Sequence, residues 1–109
     1  MKFRCERDPL VEAISVASRG VTPRSSGRQA LTGLNLVLVG NDLQVTGSDL
    51  DLTIIATASV SGSRDGTVLV PAKLLTEIVR NLPEGAVTFE ADDNEVRIGS
   101  GRSQFAVKT

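Results

Sequence analysis

Few side chains in this chain of 109 residues are equipped for chemistry, and each such group has a competing structural use. Asp49 and Asp51 stand two apart on an expected strand, which points both carboxylates to one face where they could share a cation or form an acid/base pair. Leu50, Leu52 and Ile54 claim the opposite, inner face, so the aspartates read as a solvated strand surface. Asp92-Asp93-Asn94-Glu95 resembles a ligand cluster only superficially, because a hairpin turn is needed there between Phe89 and Val96. Gly99-Ser100-Gly101-Arg102 is glycine-rich enough to suggest a phosphate cradle. Such loops bind through the N-terminus of a following helix, however, and Ser103–Val107 reads as strand, so this too is expected to be a hairpin turn. Cys5 alternates with Phe3 toward the interior and has no base beside it, the pattern of a buried, inert thiol. One cysteine and no histidine exclude an internal disulfide, a zinc site and a histidine-based triad within the chain. No catalytic residue, metal site or cofactor is expected.

The cations carry more information. Arg24 and Arg28 flank Ser25-Ser26-Gly27 in a polar loop, and Lys73 and Arg80 stand two turns apart on a helix with Glu77 within reach of both. Singly, each reads as solvated surface. Together with Arg19 they lie on the outward faces of two helices or in the loop beside them, which makes a phosphate-tracking surface. With three Phe and no Trp or Tyr, base stacking on single strands is disfavoured, so any nucleic acid would be held by its backbone charge.

The elements that must position these residues are legible. In Val70–Gly85, Pro71 opens a helix at its first position and Pro83 closes it. Leu74, Leu75, Ile78, Val79 and Leu82 fill an arc of about 140° at 100° per residue, and Lys73, Thr76, Glu77, Arg80 and Asn81 fill the other. Near the start, Phe3 and Cys5 alternate, then Asp8-Pro9 supplies an N-cap and a first-position proline ahead of Leu10, Val11, Ile14 and Ala17, with Gly20 as the C-terminal glycine. Three strands follow: Leu34/Leu36/Leu38, Leu43/Val45, and the long alternation from Leu50 to Val60. After a turn at Ser61–Gly66, a strand at Thr67–Val70 precedes the second helix and three more strands.

The order βαβββ therefore occurs twice. Leu10-Val11-x-x-Ile14 matches Leu74-Leu75-x-x-Ile78, and Leu43-x-Val45-x-Gly47-Ser48 loosely matches Val96-x-Ile98-Gly99-Ser100. The expected fold class is α+β: one duplicated domain over 1–109, with two helices side by side on curved antiparallel sheets about a pseudo-two-fold axis. The length fits one core. No apolar run approaches the ~18 residues of a membrane span, so no membrane partner is expected and a cytoplasmic location is. The net charge of −1 hides an asymmetry, since residues 1–28 hold six Lys/Arg against three acids and the remainder six against ten.

Four blocks resemble the N-terminal domain of the bacterial beta sliding clamp family, the processivity subunits of DNA polymerase III. They are Met1-Lys2-Phe3 with Glu6-Arg7 and Leu10; Thr46-Gly47-Ser48-Asp49-Leu50-Asp51; Val70-Pro71-Ala72 through Arg80-x-Leu82-Pro83-Glu84-Gly85; and Ser100-Gly101-Arg102-Ser103-x-Phe105. The resemblance spans nearly the whole chain in family order. It implies the DNA-clamp fold, a non-catalytic role, and a ring of two head-to-tail chains of three domains each around duplex DNA. By position it implies that Arg24 reaches DNA and that Lys73 and Arg80 belong to the pore-side helix. It also implies that Arg102, Phe105 and Val107 form the edge meeting a second subunit's last domain, with Phe105 as apolar anchor and Arg102 facing acids. Gln104 lies at an interface position often basic in relatives. Gln29-Ala30-Leu31 lacks the family's proline and its loop is longer by one residue, which leaves Arg28 as the alternative to Arg24. The family continues beyond Thr109 into two domains that hold the cleft for polymerase and loader peptides, so this chain is expected to lack that cleft. Two other readings compete: a stand-alone interaction module pairing through the sheet edge near Phe105, and a small enzyme using Asp49 and Asp51.

Overall fold

The structure, a computed structural model, describes residues 1–20, 33–48 and 52–108. Strand β1 (Lys2–Glu6) runs directly into helix α1 (Arg7–Ser18), and β2 (Gly33–Val39), β3 (Asp42–Ser48) and β4 (Thr53–Ser59) form an antiparallel meander. Short β5 (Ser61–Arg64) and β6 (Gly66–Pro71) lead into α2 (Ala72–Arg80), after which β7 (Ala86–Ala91), β8 (Glu95–Ser100) and β9 (Ser103–Lys108) make a second meander. The result is an α+β fold of two helices on two antiparallel sheets, ordered β5-β1-β7-β8-β9 and β4-β3-β2-β6.

The duplication is visible in the pairing. Leu36 opposite Val45 recurs as Phe89 opposite Ile98, and Leu38 opposite Leu43 recurs as Ala91 opposite Val96. The first strand of each half has crossed to the other half's sheet: β1 pairs with β7, and β6 with β2. Each sheet is thus completed by the opposite half, so neither half retains a whole sheet without the other. Inward residues of both sheets and both helices form one buried cluster. In it Phe3 and Phe89, opposite each other across β1 and β7, stack with centroids 4.9 Å apart.

Several local expectations are corrected. Burial aligns the helices one residue away from the motif match: Leu10 corresponds to Leu75, Ala13 to Ile78, Ile14 to Val79 and Ala17 to Leu82, all buried. Leu74, assigned to the apolar face, is consequently exposed. Helix α1 begins at Arg7, capped by extended Glu6 instead of Asp8, because the Arg7 N–H finds the Gly85 carbonyl at 2.9 Å. Pro9 sits within the first turn, where its missing N–H costs nothing, and Pro71 is the N-cap of α2 rather than its first helical residue. Gly20 has no positive φ; it is small because a Cβ there would lie 2.5 Å from the Gly47 carbonyl oxygen. The span read as a turn at Ser61–Gly66 contains β5, which pairs along the free edge of β1 and lacks the large apolar residues that would mark a strand in sequence.

The two expected hairpin turns are present. Asp92 Oδ1 accepts from the Asn94 and Glu95 backbone N–H groups at 2.9 Å each, and Gly101 at φ 56° takes the left-handed conformation between β8 and β9. Cys5 is half-buried against the core, and burial, followed by the nearby Glu6 charge, pushes its thiol up to about 11.

Candidate nucleic-acid interface

Helices α1 and α2 pack against each other in opposite directions. Arg7, opening α1, donates from Nη2 to the Arg80 carbonyl at 2.8 Å, and at the other end of α1 the Ser18 hydroxyl lies 3.2 Å from that of Thr76. Arg7 thereby supplies a cation to the C-terminal carbonyls of α2, where the helix dipole favours positive charge. It also bonds Asp8 Oδ1 at 2.8 Å, while its Nε is buried without a partner among the described residues. Nothing in the sequence around Arg7 foretells a guanidinium bridging two helix ends.

This pairing brings three of the expected cations to the helical layer. Lys73 and Arg80 are exposed on α2, seven residues and about 10 Å apart along its axis. Arg19, exposed as the C-cap of α1, lies toward the end of the pair where α2 begins. None of the three makes a salt bridge to a described residue. Glu77 shares the exposed face of α2 but forms no salt bridge with either neighbouring cation, and Asp8 and Glu12 are exposed on α1. The helix surface therefore mixes charges and is not strongly basic. Arg24 and Arg28 lie outside the described residues, as do Asp49 and Asp51.

The second group of expected residues divides between the two faces of β9. Phe105 and Val107 stand opposite Ile98 and Val96, facing the helical side. There they line a groove of about 580 Å³ with Leu74 and Ile78 of α2. Arg102 and Gln104 line a separate groove of about 420 Å³. In the first half Gly47 lets the end of α1 settle onto β3, since any Cβ there would run into the Ala17 carbonyl. The corresponding Ser100 carries a buried side chain, which donates to the carbonyl of Pro83, beyond the end of α2, at 3.4 Å. Phe105 is left 36% exposed and Leu74 40% exposed beside an unpaired strand edge.

A cluster not anticipated from sequence lies on the outer face of the same sheet. Arg97 bonds Glu90 Oε1 and Glu95 Oε2 at 2.8 and 2.9 Å and approaches Asp92 Oδ2 at 3.4 Å. The Arg97 hydrogen bond foremost holds the Glu90 carboxyl below its ordinary range, and the Asn94 backbone N–H foremost does so for Asp92. These acids are committed to a guanidinium, and the run Asp92–Glu95 serves as a turn.

Comparison with known proteins agrees with this geometry. The profile of the DNA polymerase III beta subunit N-terminal domain matches residues 1–109. The beta sliding clamp of Proteus mirabilis is 36% identical over the whole chain, which covers 30% of that protein, and that of Micrococcus luteus is 33% identical, with 35% covered. The chain thus spans about a third of the length of these relatives. The solved pol III beta of Caulobacter crescentus superposes with a TM-score of 0.89 at 32% identity, covering 98% of this chain and 30% of that one. The beta subunit of Streptococcus pyogenes, at 19% identity, shares the fold with a TM-score of 0.93. A buried duplicated core, an antiparallel helix pair and a matching profile from end to end together show that the chain belongs to the DNA polymerase III beta subunit N-terminal domain family, whose members are non-catalytic clamp subunits.

Proposed function

We propose that this chain forms one arc of a ring that encircles duplex DNA and slides along it as a polymerase processivity factor in the cytoplasm. The observation that carries this reading is the antiparallel helix pair presenting Arg19, Lys73 and Arg80 without ion-pair partners among the described residues. Arg24 or Arg28, outside the described residues, adds to the same contact by its match to the family position. Sliding requires contacts that do not read sequence, and guanidinium and ammonium groups directed at phosphates meet that requirement because successive phosphates are equivalent. The mixture of acids among these cations suits a surface that must hold DNA loosely while topology prevents escape.

The β9 edge completes the ring by meeting a second subunit head to tail. Phe105 and Val107, with Leu74 and Ile78, offer an apolar groove beside an unpaired edge, and Arg102 and Gln104, which line the separate groove, add polar contacts from the same hairpin. DNA polymerase and the clamp loader act on the assembled ring. In a full-length clamp carrying this domain, retention on covalently closed circular duplex compared with the same duplex linearised tests the reading. It predicts slow loss from the circle and rapid loss from the open ends; equal loss from both overturns encirclement. Specific protein capture through β9, with no affinity for DNA at any salt concentration, supports the stand-alone interaction module instead.

A further inference from the structure

Helix α2 ends in a way that leaves one carbonyl short of a backbone donor. Its last turn tightens: the Asn81 N–H reaches the Glu77 and Ile78 carbonyls at 3.3 and 3.2 Å, and the Leu82 N–H reaches that of Val79 at 3.3 Å. The next donor in this i→i−3 series would be residue 83, and Pro83 has no N–H. The carbonyl so orphaned is that of Arg80, whose exposed side chain is one of the three cations of the helical face. Its partner comes from far away in sequence. Arg7 Nη2, separated by 73 positions, donates to it at 2.8 Å.

Arg7 is itself fixed. Its N–H is anchored on the Gly85 carbonyl at 2.9 Å, where Gly85, at φ 121°, turns the chain from α2 into β7. Asp8 Oδ1 holds Nη1 at 2.8 Å, and the Arg7 side chain is only 21% exposed. Nε is buried without a partner among the described residues, so the two terminal nitrogens set the orientation of the guanidinium plane. Arg7 is thus committed to protein groups, whereas Arg80 makes no salt bridge to a described residue.

We infer that Arg7 is a positioning residue for DNA contact: it holds the last turn of α2 closed, so that the Arg80 guanidinium is presented at a fixed place on the helical face, and does not itself touch DNA. The inference rests on the reading of Arg80 as a phosphate contact. A terminal turn whose carbonyl lacks a partner frays, and the Arg80 Cα moves with it. Ordering that turn anew on each encounter opposes the contact. Lys73, about 10 Å away near the start of α2, is anchored independently of this end.

Hydrogen exchange and the salt dependence of duplex binding, both on a full-length clamp carrying this domain, test the assignment. In Arg7→Met the amides of Asn81 and Leu82 should exchange about tenfold faster, as expected for one lost hydrogen bond from a charged donor, with those of Leu75 and Ile78 unchanged. The slope of log K against log salt concentration should become shallower by about 0.9, as it does in Arg80→Ala. Added to Arg80→Ala, Arg7→Met should change the slope no further; added to Lys73→Ala, it should act in full. Arg7→Lys, the milder change, keeps the charge without the planar fork and should show the same pattern to a smaller extent. Faster exchange throughout α2 marks a merely structural residue and overturns the inference. A further loss of slope on the Arg80→Ala background means that Arg7 touches DNA directly, and overturns it as well. A parent-like slope in Arg7→Met, where Arg80→Ala lowers it, overturns the inference alone, whereas an unchanged slope in Arg80→Ala overturns the phosphate reading and the inference with it.

Discussion

Replacing Gly47 with alanine tests how the helical layer is seated. The new Cβ would lie 2.9 Å from the Ala17 carbonyl carbon and 3.1 Å from Leu34 Cδ2, and closer still to the Ala17 oxygen. Carbon atoms settle at about 3.5–4.0 Å, so the end of α1 must withdraw by roughly 1 Å. Such overpacking costs typically 1–3 kcal/mol, and a gap of that size forfeits part of the dispersion energy around buried Ile14 and Ala17. A total of about 2–3 kcal/mol corresponds to a fall in Tm of roughly 10–20 °C for a domain of this size. Thermal unfolding of the 109-residue chain, followed by far-ultraviolet circular dichroism and calorimetry, measures it. A Gly47→Ala variant within ~3 °C of the parent would refute the claim that this contact seats α1.

The Arg97 cluster gives the domain an acid-sensitive limb. Glu90 and Asp92 have folded pKa values depressed below the ordinary 4.5 and 3.8, so their contribution is present above those values and lost as pH falls through the folded ones. Chemical denaturation below about pH 4.5 should show stability declining for the parent and declining less for Arg97→Leu; parallel curves would show that the cluster does not couple to folding. Because the Cys5 thiol is pushed up to about 11, it should remain protonated and react slowly with a thiol-specific disulfide reagent at pH 8, reaching the rate of a free thiol only in denaturant. Rapid reaction of the native chain would show that it is exposed.

What the sequence made legible was local. Alternation such as Leu34, Leu36, Leu38 and the proline-bounded helix at 72–80 report their own burial, because a period of two or 3.6 residues is written into adjacent positions. The hairpins at Asp92–Glu95 and Gly101-Arg102 were equally clear from turn chemistry. The exchange of β1 and β6 between sheets was not, since periodicity states that a strand has an inner face without naming the strand beside it. Leu74 was misplaced because an apolar arc of about 140° is wider than the buried stripe, and its exposed rim becomes the wall of a groove. Strand β5 was hidden because its small polar residues signal a turn. For the site, Lys73, Arg80 and Arg19 were found as outward cations. The bridge from Arg7 to α2, and the acids that surround Arg97, depend on contacts across the fold that no spacing in the chain encodes.

The central claim is that cations of the helix pair touch DNA phosphates, and the salt dependence of duplex binding by a full-length clamp carrying this domain tests it most directly. Each phosphate contact contributes about −0.9 to the slope of log K against log salt concentration. The Lys73→Ala/Arg80→Ala double variant should therefore bind with a slope shallower by about 1.8, and with the same relative loss on duplexes of unrelated sequence. A slope unchanged to within ~0.3 would contradict the account and remove both residues from the DNA face.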